Sequence, residues 1–198
     1  MTLEICASNY QSALNAQTAE ANRIELCSEL AIGGITPSYG LVKQVADTLS
    51  IPVFILIRPR SGNFTYSEAE FNIMKHNIEL FKKMGCSGIA SGVLNKDNTI
   101  DTARTKELIE LTKPLPFTFH RAFDWTPNPV EALEQLIDIG ANRVLTSGQG
   151  ALGEENINLL IDLKNKANNR IIILVCGGIN SKNAKIFKNH GFNEIHAD

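Results

Sequence analysis

Hydrophobic and polar positions along this chain follow two periods that alternate from end to end. Short period-two stretches predict strands at Leu3–Ala7, Arg23–Cys27, Val53–Arg58, Gly88–Val93, Phe117–Arg121, Arg143–Ser147, Ile171–Cys176 and Glu194–Asp198. Between them the period becomes helical, most plainly where Phe71, Met74, Ile78, Phe81 and Met84 share one apolar face. Ser67-Glu68-Ala69-Glu70 opens that helix as a capping box, and Gly85 closes it. Asn128-Pro129-Val130-Glu131 starts another with a cap residue, a proline and an acid, and Gly140 ends it. Ser181 and Gly191 bracket a further helix.

Eight strands with a helix between each consecutive pair predict an α/β fold with a parallel sheet. Eight such units favour closure into a (β/α)8 barrel of the TIM type over an open doubly wound sheet. The absence of G-x-G-x-x-G after the first strand points the same way. No linker or low-complexity stretch divides the chain, so residues 1–198 read as a single barrel domain. Ala21-Asn22-Arg23-Ile24 recurs as Ala141-Asn142-Arg143-Val144, with looser copies at Gly85-Cys86-Ser87-Gly88-Ile89 and Gly191-Phe192-Asn193-Glu194-Ile195. Each joins a helix end to a strand start, as a reused βα unit would. The sequence reaches Asp198 inside or just after the eighth strand, with no helix behind it, whereas such a barrel usually needs about 250 residues. The expectation is a barrel lacking its final helix, either truncated or covered over its first and eighth strands by a neighbouring subunit. A homo-oligomer, dimer or tetramer, follows from the second alternative.

Composition removes several function classes. The 198 residues are 43% hydrophobic and 20% charged, with a formal net charge of −2, which gives no electrostatic reason to expect nucleic acid or an anionic membrane as partner. The longest apolar runs, Ile51 to Ile57 and Ile171 to Cys176, are too short to span a bilayer. The start, Met1 to Cys6, has neither a basic nor an apolar segment of a secretory signal, so a cytoplasmic protein is expected. Cys6, Cys27, Cys86 and Cys176 lie far apart with no C-x-x-C pair, and reduced, buried thiols are the simplest expectation for them.

In a barrel, alternate strand residues point inward and the strand C-termini carry the chemistry. If Leu3, Ile5 and Ala7 face the helices, Glu4 and Cys6 face in; if Ile24 and Leu26 face out, Arg23, Glu25 and Cys27 face in. Neighbouring strands thus both present Glu-x-Cys inward. The same parity places Thr118 and His120 inside, with Arg58 at the end of its strand. So many buried charges are costly unless paired with each other, as Glu25 with Arg58 would be, or with a ligand. Ser147-Gly148-Gln149-Gly150 and Gly177-Gly178-Ile179 follow late strands, where barrels often hold phosphate. Arg58-Pro59-Arg60 reads as an anion clamp.

These same residues carry a resemblance. Asn22-Arg23-Ile24-Glu25-Leu26-Cys27-Ser28, Gly33-Gly34-Ile35-Thr36-Pro37-Ser38, Ile57-Arg58-Pro59-Arg60, Phe64-Thr65-Tyr66, Phe117 to Asp124 and Arg143 to Gly148 resemble the sequence blocks of the CutC copper-homeostasis family, in order and over nearly the whole chain. The resemblance implies a TIM barrel that tends to form homo-oligomers, and cytosolic copper handling. The chain departs from the family pattern at Ser61, Gly62 and Asn63, where the family usually reads Gly-Gly-Asp. It departs again at Val175-Cys176, which shorten a glycine-rich stretch, and at Asp198, after which the family continues.

Two readings of function follow. Copper handling would use Cu(I), a soft ion that prefers thiolates, held by the inward Cys6 and Cys27. The alternative is an enzyme of unassigned reaction on a small anionic or phosphorylated metabolite. There Arg58 and Arg60, with Ser147, Gly148, Gly177 and Gly178, would hold the anion. His120 would be the general acid/base, with Glu25 or Asp124 orienting it or sharing the proton. Whether the protein is an enzyme at all stays open at this point.

Overall fold

The computed structural model describes all 198 residues. Its strands are β1 (Thr2–Ala7), β2 (Arg23–Leu26), β3 (Val53–Leu56), β4 (Gly88–Ser91), β5 (Phe117–Phe119), β6 (Arg143–Thr146), β7 (Ile172–Val175) and β8 (Glu194–Ala197). They pair in parallel in chain order, and β8 returns to β1 through Thr2–Glu194, Leu3–Ile195, Glu4–His196 and Ile5–Ala197, closing the barrel. Seven helices fill the connections: α1 (Tyr10–Thr18), α2 (Tyr39–Thr48), α3 (Glu68–Lys83), α4 (Thr102–Thr112), α5 (Pro129–Asp138), α6 (Ile157–Ala167) and α7 (Ala184–Asn189). No helix is long and apolar enough to cross a membrane.

The expected helix starts are found. Ser67 and Glu70 form a reciprocal capping box on α3, and Asn128 caps α5 ahead of Pro129. The strands are shorter than the alternation predicts. β2, β3, β5 and β6 end at Leu26, Leu56, Phe119 and Thr146, so Cys27, Arg58, His120 and Ser147 lie just past the ladder. The chain turns sharply there, and after β5 it winds into a 3-10 turn over Arg121–Trp125.

The internal repeat has a structural meaning. Asn22 accepts from the Leu3 N–H through its side chain at 2.7 Å and donates its own N–H to the Leu3 carbonyl at 3.0 Å. Asn142 does the same for Phe117, at 2.8 and 3.0 Å. In the looser copy, Ser87 clasps Val53 at 3.2 and 2.8 Å. Each polar side chain satisfies an orphan N–H at the lower rim of a strand.

Outward faces of the strands pack against the helices through residues such as Ile24, Ile55, Ile89 and Val144, all fully buried. Inside, the lowest layer is polar. Arg23 bonds Glu4 and reaches Glu194 at 2.5 Å, while Arg143 reaches the same Glu194 oxygen at 3.0 Å. The Phe54 ring lies between the two arginines, 5.2 and 5.3 Å from their guanidinium carbons. Gly88 must lack a side chain here, because a Cβ would come within 2.2 Å of that ring.

Candidate functional site

Above this layer, β1 and β2 lift Cys6 and Glu25, and β8 lifts His196, toward the open end of the barrel. Cys6 and Glu25 are register partners, and so are Glu4 and His196. Sequence parity brings the two cysteines together: Cys6 Sγ and Cys27 Sγ are 3.5 Å apart and buried. A cavity of about 190 Å³ opens beside them, walled by Cys6, Glu25, Phe64, His120, Arg121 and His196 among others.

His196 is the centre of charge. Burial alone would lower its pKa, but its bond to Glu4, with Nδ1 2.7 Å from Oε1, and the fields of Glu25, Glu4 and Asp198 lift it to about 9. The imidazole is therefore a cation at neutral pH. Burial works against the charged form of Glu4, yet His196 and Arg23 outweigh it and hold that carboxyl below its ordinary range. Glu25 has no such support. Burial pushes its pKa up to about 7, only partly offset by His196, and its Oε2 is buried without a hydrogen-bond partner.

His120 differs from the sequence expectation. Burial first, and the charge of Arg58 second, press its pKa down to about 3. The imidazole is therefore neutral near pH 7. Its Nδ1 accepts from the Ala122 N–H at 3.3 Å, which leaves the ring hydrogen on Nε2. That Nε2 is buried and has no partner.

The arginine clamp is also arranged differently. Arg58 does not pair with Glu25. Its guanidinium donates to the carbonyls of Ile32, Gly34 and Gly62 at 2.9–3.0 Å and lies over the Phe64 ring. Arg60 directs its donors to Glu70 and to oxygens of Ser61, Asn63 and Thr65, away from the cavity. The arginine at the cavity wall is Arg121, which sequence reasoning passed over. Alternation would have turned it outward, but β5 ends at Phe119 and the 3-10 turn swings it over the mouth.

Asp124 is held by the turn after β6. It accepts from Thr146 and Ser147 hydroxyls, from the N–H groups of Ser147 and Gln149, and from Arg121 Nε at 3.0 Å. Gly148 gives its N–H to Thr146 Oγ1, so the Ser147-Gly148 turn is largely satisfied internally. Gly177 and Gly178 adopt positive φ, and a Cβ on Gly177 would strike Ser147 Cβ and the Ala151 carbonyl at 2.8 Å. These glycines seat one late turn on the other.

His196 and Glu4 also escaped assignment as site residues. The Glu194-Ile195-His196 alternation was a usable signal for the first. As for metals, Cys6, His196 and Asp198 bring ligand atoms within 4.8 Å of one another, and so do Glu4, Glu25 and His196. The thiol pair is the soft donor set of the mouth; the carboxylate cluster is the hard one.

The sequence profile of the CutC family matches residues 1–198. The chain is 46% identical to a CutC family protein of Pasteurella multocida (strain Pm70) over 99% of its own length and 81% of that protein's. It is 44% identical to the copper homeostasis protein cutC homolog of Mus musculus, over 98% of this chain and 72% of that one. A crystal structure described as a copper homeostasis protein CutC from Streptococcus agalactiae superposes with a TM-score of 0.93 at 36% identity, covering 100% of this chain and 98% of that one.

Proposed function

The chain belongs to the CutC family, and on that premise we propose that it handles copper as Cu(I), taken up by the thiols of Cys6 and Cys27. The observation that carries this reading is the 3.5 Å approach of the two sulfurs. Paired thiolates are the donor set a soft monovalent copper ion prefers. Cys6 borders the cavity, so the pair has a route from solvent. Its thiol is held protonated by the bond to Cys27, by burial and by the charge of Glu25. Uptake of the cargo ion therefore releases protons, because only the ion's charge makes buried thiolates favourable.

All four cysteines are free thiols, which suits a reducing cytoplasm, and we place the protein there. We further propose a homo-oligomer in which a second copy covers Leu3 and Ile5 on the outer face of β1, both only partly buried in one chain; sedimentation of a Leu3→Glu variant beside the parent tests it. A chelator competition titration with Cu(I) tests the principal reading. Loss of affinity in both Cys6→Ser and Cys27→Ser supports it, and unchanged affinity in both overturns it.

A second reading is favoured by a separate observation. Glu25 Oε2 and His120 Nε2 are buried and unpartnered beside the same cavity. Buried polar atoms without partners are uncommon in folded proteins and often mark where a ligand completes the set. On this reading the barrel mouth acts on a small anionic metabolite.

A further inference from the structure

The second reading leaves the ligand's chemistry unspecified, and the cavity walls narrow it. His120 offers a hydrogen-bond donor, because Nδ1 is taken by the Ala122 N–H and the proton sits on Nε2. Arg121 offers a cation whose Nε is bound to Asp124 and one of whose terminal nitrogens is bound to Ser147 and Gly150. Its other terminal nitrogen has no partner in the chain. Arg58, behind Phe64, is a buried guanidinium bonded to carbonyl oxygens rather than a carboxylate, so its charge is not neutralised by an anion of its own. The same cavity is lined by Glu25, whose Oε2 is a buried acceptor without a partner.

Size and charge exclude the larger alternatives. The cavity, about 190 Å³, is below the roughly 300–1,000 Å³ of drug-sized sites and admits a molecule of a few carbons. A dianionic phosphate would meet Glu25 and Asp198 on the walls. The turn after β6 offers it no backbone cradle either, since the N–H groups of Gly148 and Gln149 are bound to Thr146 and Asp124.

We infer that the barrel mouth binds a small hydroxy- or oxo-carboxylate, its carboxylate on the free terminal nitrogen of Arg121 and its oxygen substituent on His120 Nε2–H. A hydroxyl hydrogen on the same ligand is directed to Glu25 Oε2. This inference rests on the small-anion reading above and names its substrate class.

The test uses the whole chain and calorimetric titration with two- to four-carbon acids, lactate and pyruvate among them. Propionate serves as the probe lacking the oxygen substituent, and glycerol phosphate as the phosphorylated probe. Lactate or pyruvate is expected to bind at least about tenfold more tightly than propionate, the worth of one hydrogen bond to a buried donor. His120→Phe should erase that preference. Arg121→Lys should weaken all the acids together, and circular dichroism of each variant separates this from misfolding. Equal binding of propionate and lactate overturns the inference. Binding of glycerol phosphate but of none of the acids overturns it too, yet leaves the small-anion reading standing. No binding of any anion by the folded parent protein overturns both.

Discussion

The imidazole of His196 and the carboxylate of Glu4 meet inside the barrel, Nδ1 2.7 Å from Oε1, although 192 residues separate them in sequence. The pair fastens the last strand to the first and sets the charge of the layer on which the mouth is built.

This pair makes stability depend on pH in a defined window. His196 is raised from an ordinary 6.5 to about 9, so its contribution is complete below 6.5 and is lost as pH rises through 9. Glu4 is held below its ordinary 4.5, so its contribution is complete above 4.5 and is lost on further acidification. The advantage of the parent protein over His196→Gln should be greatest between pH 4.5 and 6.5, and smaller at pH 9.5. Urea denaturation across pH 4–10 measures it, and a pH-independent difference would contradict the pairing.

Glu25 works in the opposite sense. Its raised pKa of about 7 means the folded state resists ionisation, so stability falls as pH climbs from 4.5 through 7. Glu25→Gln should therefore stabilise the protein at pH 8, on the order of 1–3 kcal/mol, and have little effect near pH 4. Gain of stability with loss of acid binding would mark a residue retained for function.

His120 should be silent in a titration. With its pKa pressed to about 3, its ring resonances should not move between pH 5 and 8, whereas those of His196 should move around pH 9. Heteronuclear NMR of the imidazoles reads both. A His120 midpoint near neutrality would restore it as a general acid/base.

Gly88→Ala should be severe for so small a change. The added Cβ would lie 2.2 Å from a Phe54 ring that is confined between Arg23 and Arg143. Overpacking of this kind costs about 1–3 kcal/mol or more. Combining it with Phe54→Leu should recover part of the loss, a non-additivity that thermal denaturation detects.

The barrel was legible because a parallel ring fixes which residues face in, and a period of two needs only a few residues to declare itself. The same parity located Glu4, Cys6, Arg23, Glu25 and Cys27. It failed where strands end: Arg121 belongs to a 3-10 turn, whose geometry alternation does not describe. The role of Arg60 was fixed by Glu70, the capping residue of α3, ten positions on. That pairing depends on how the loop folds back on the helix. The shifted charges of His120, Glu25 and His196 were not legible at all, since each arises from burial and from partners on other strands.

The Asn-Arg seams at Asn22-Arg23 and Asn142-Arg143 stand four strands apart in a ring of eight, and so face each other across the axis. The two clasps thus pin the starts of β1 and β5, at Leu3 and Phe117. At the axis Arg23 pairs with Glu4, and Arg143 with Glu194. The contact of Arg23 with Glu194 is the stitch between them.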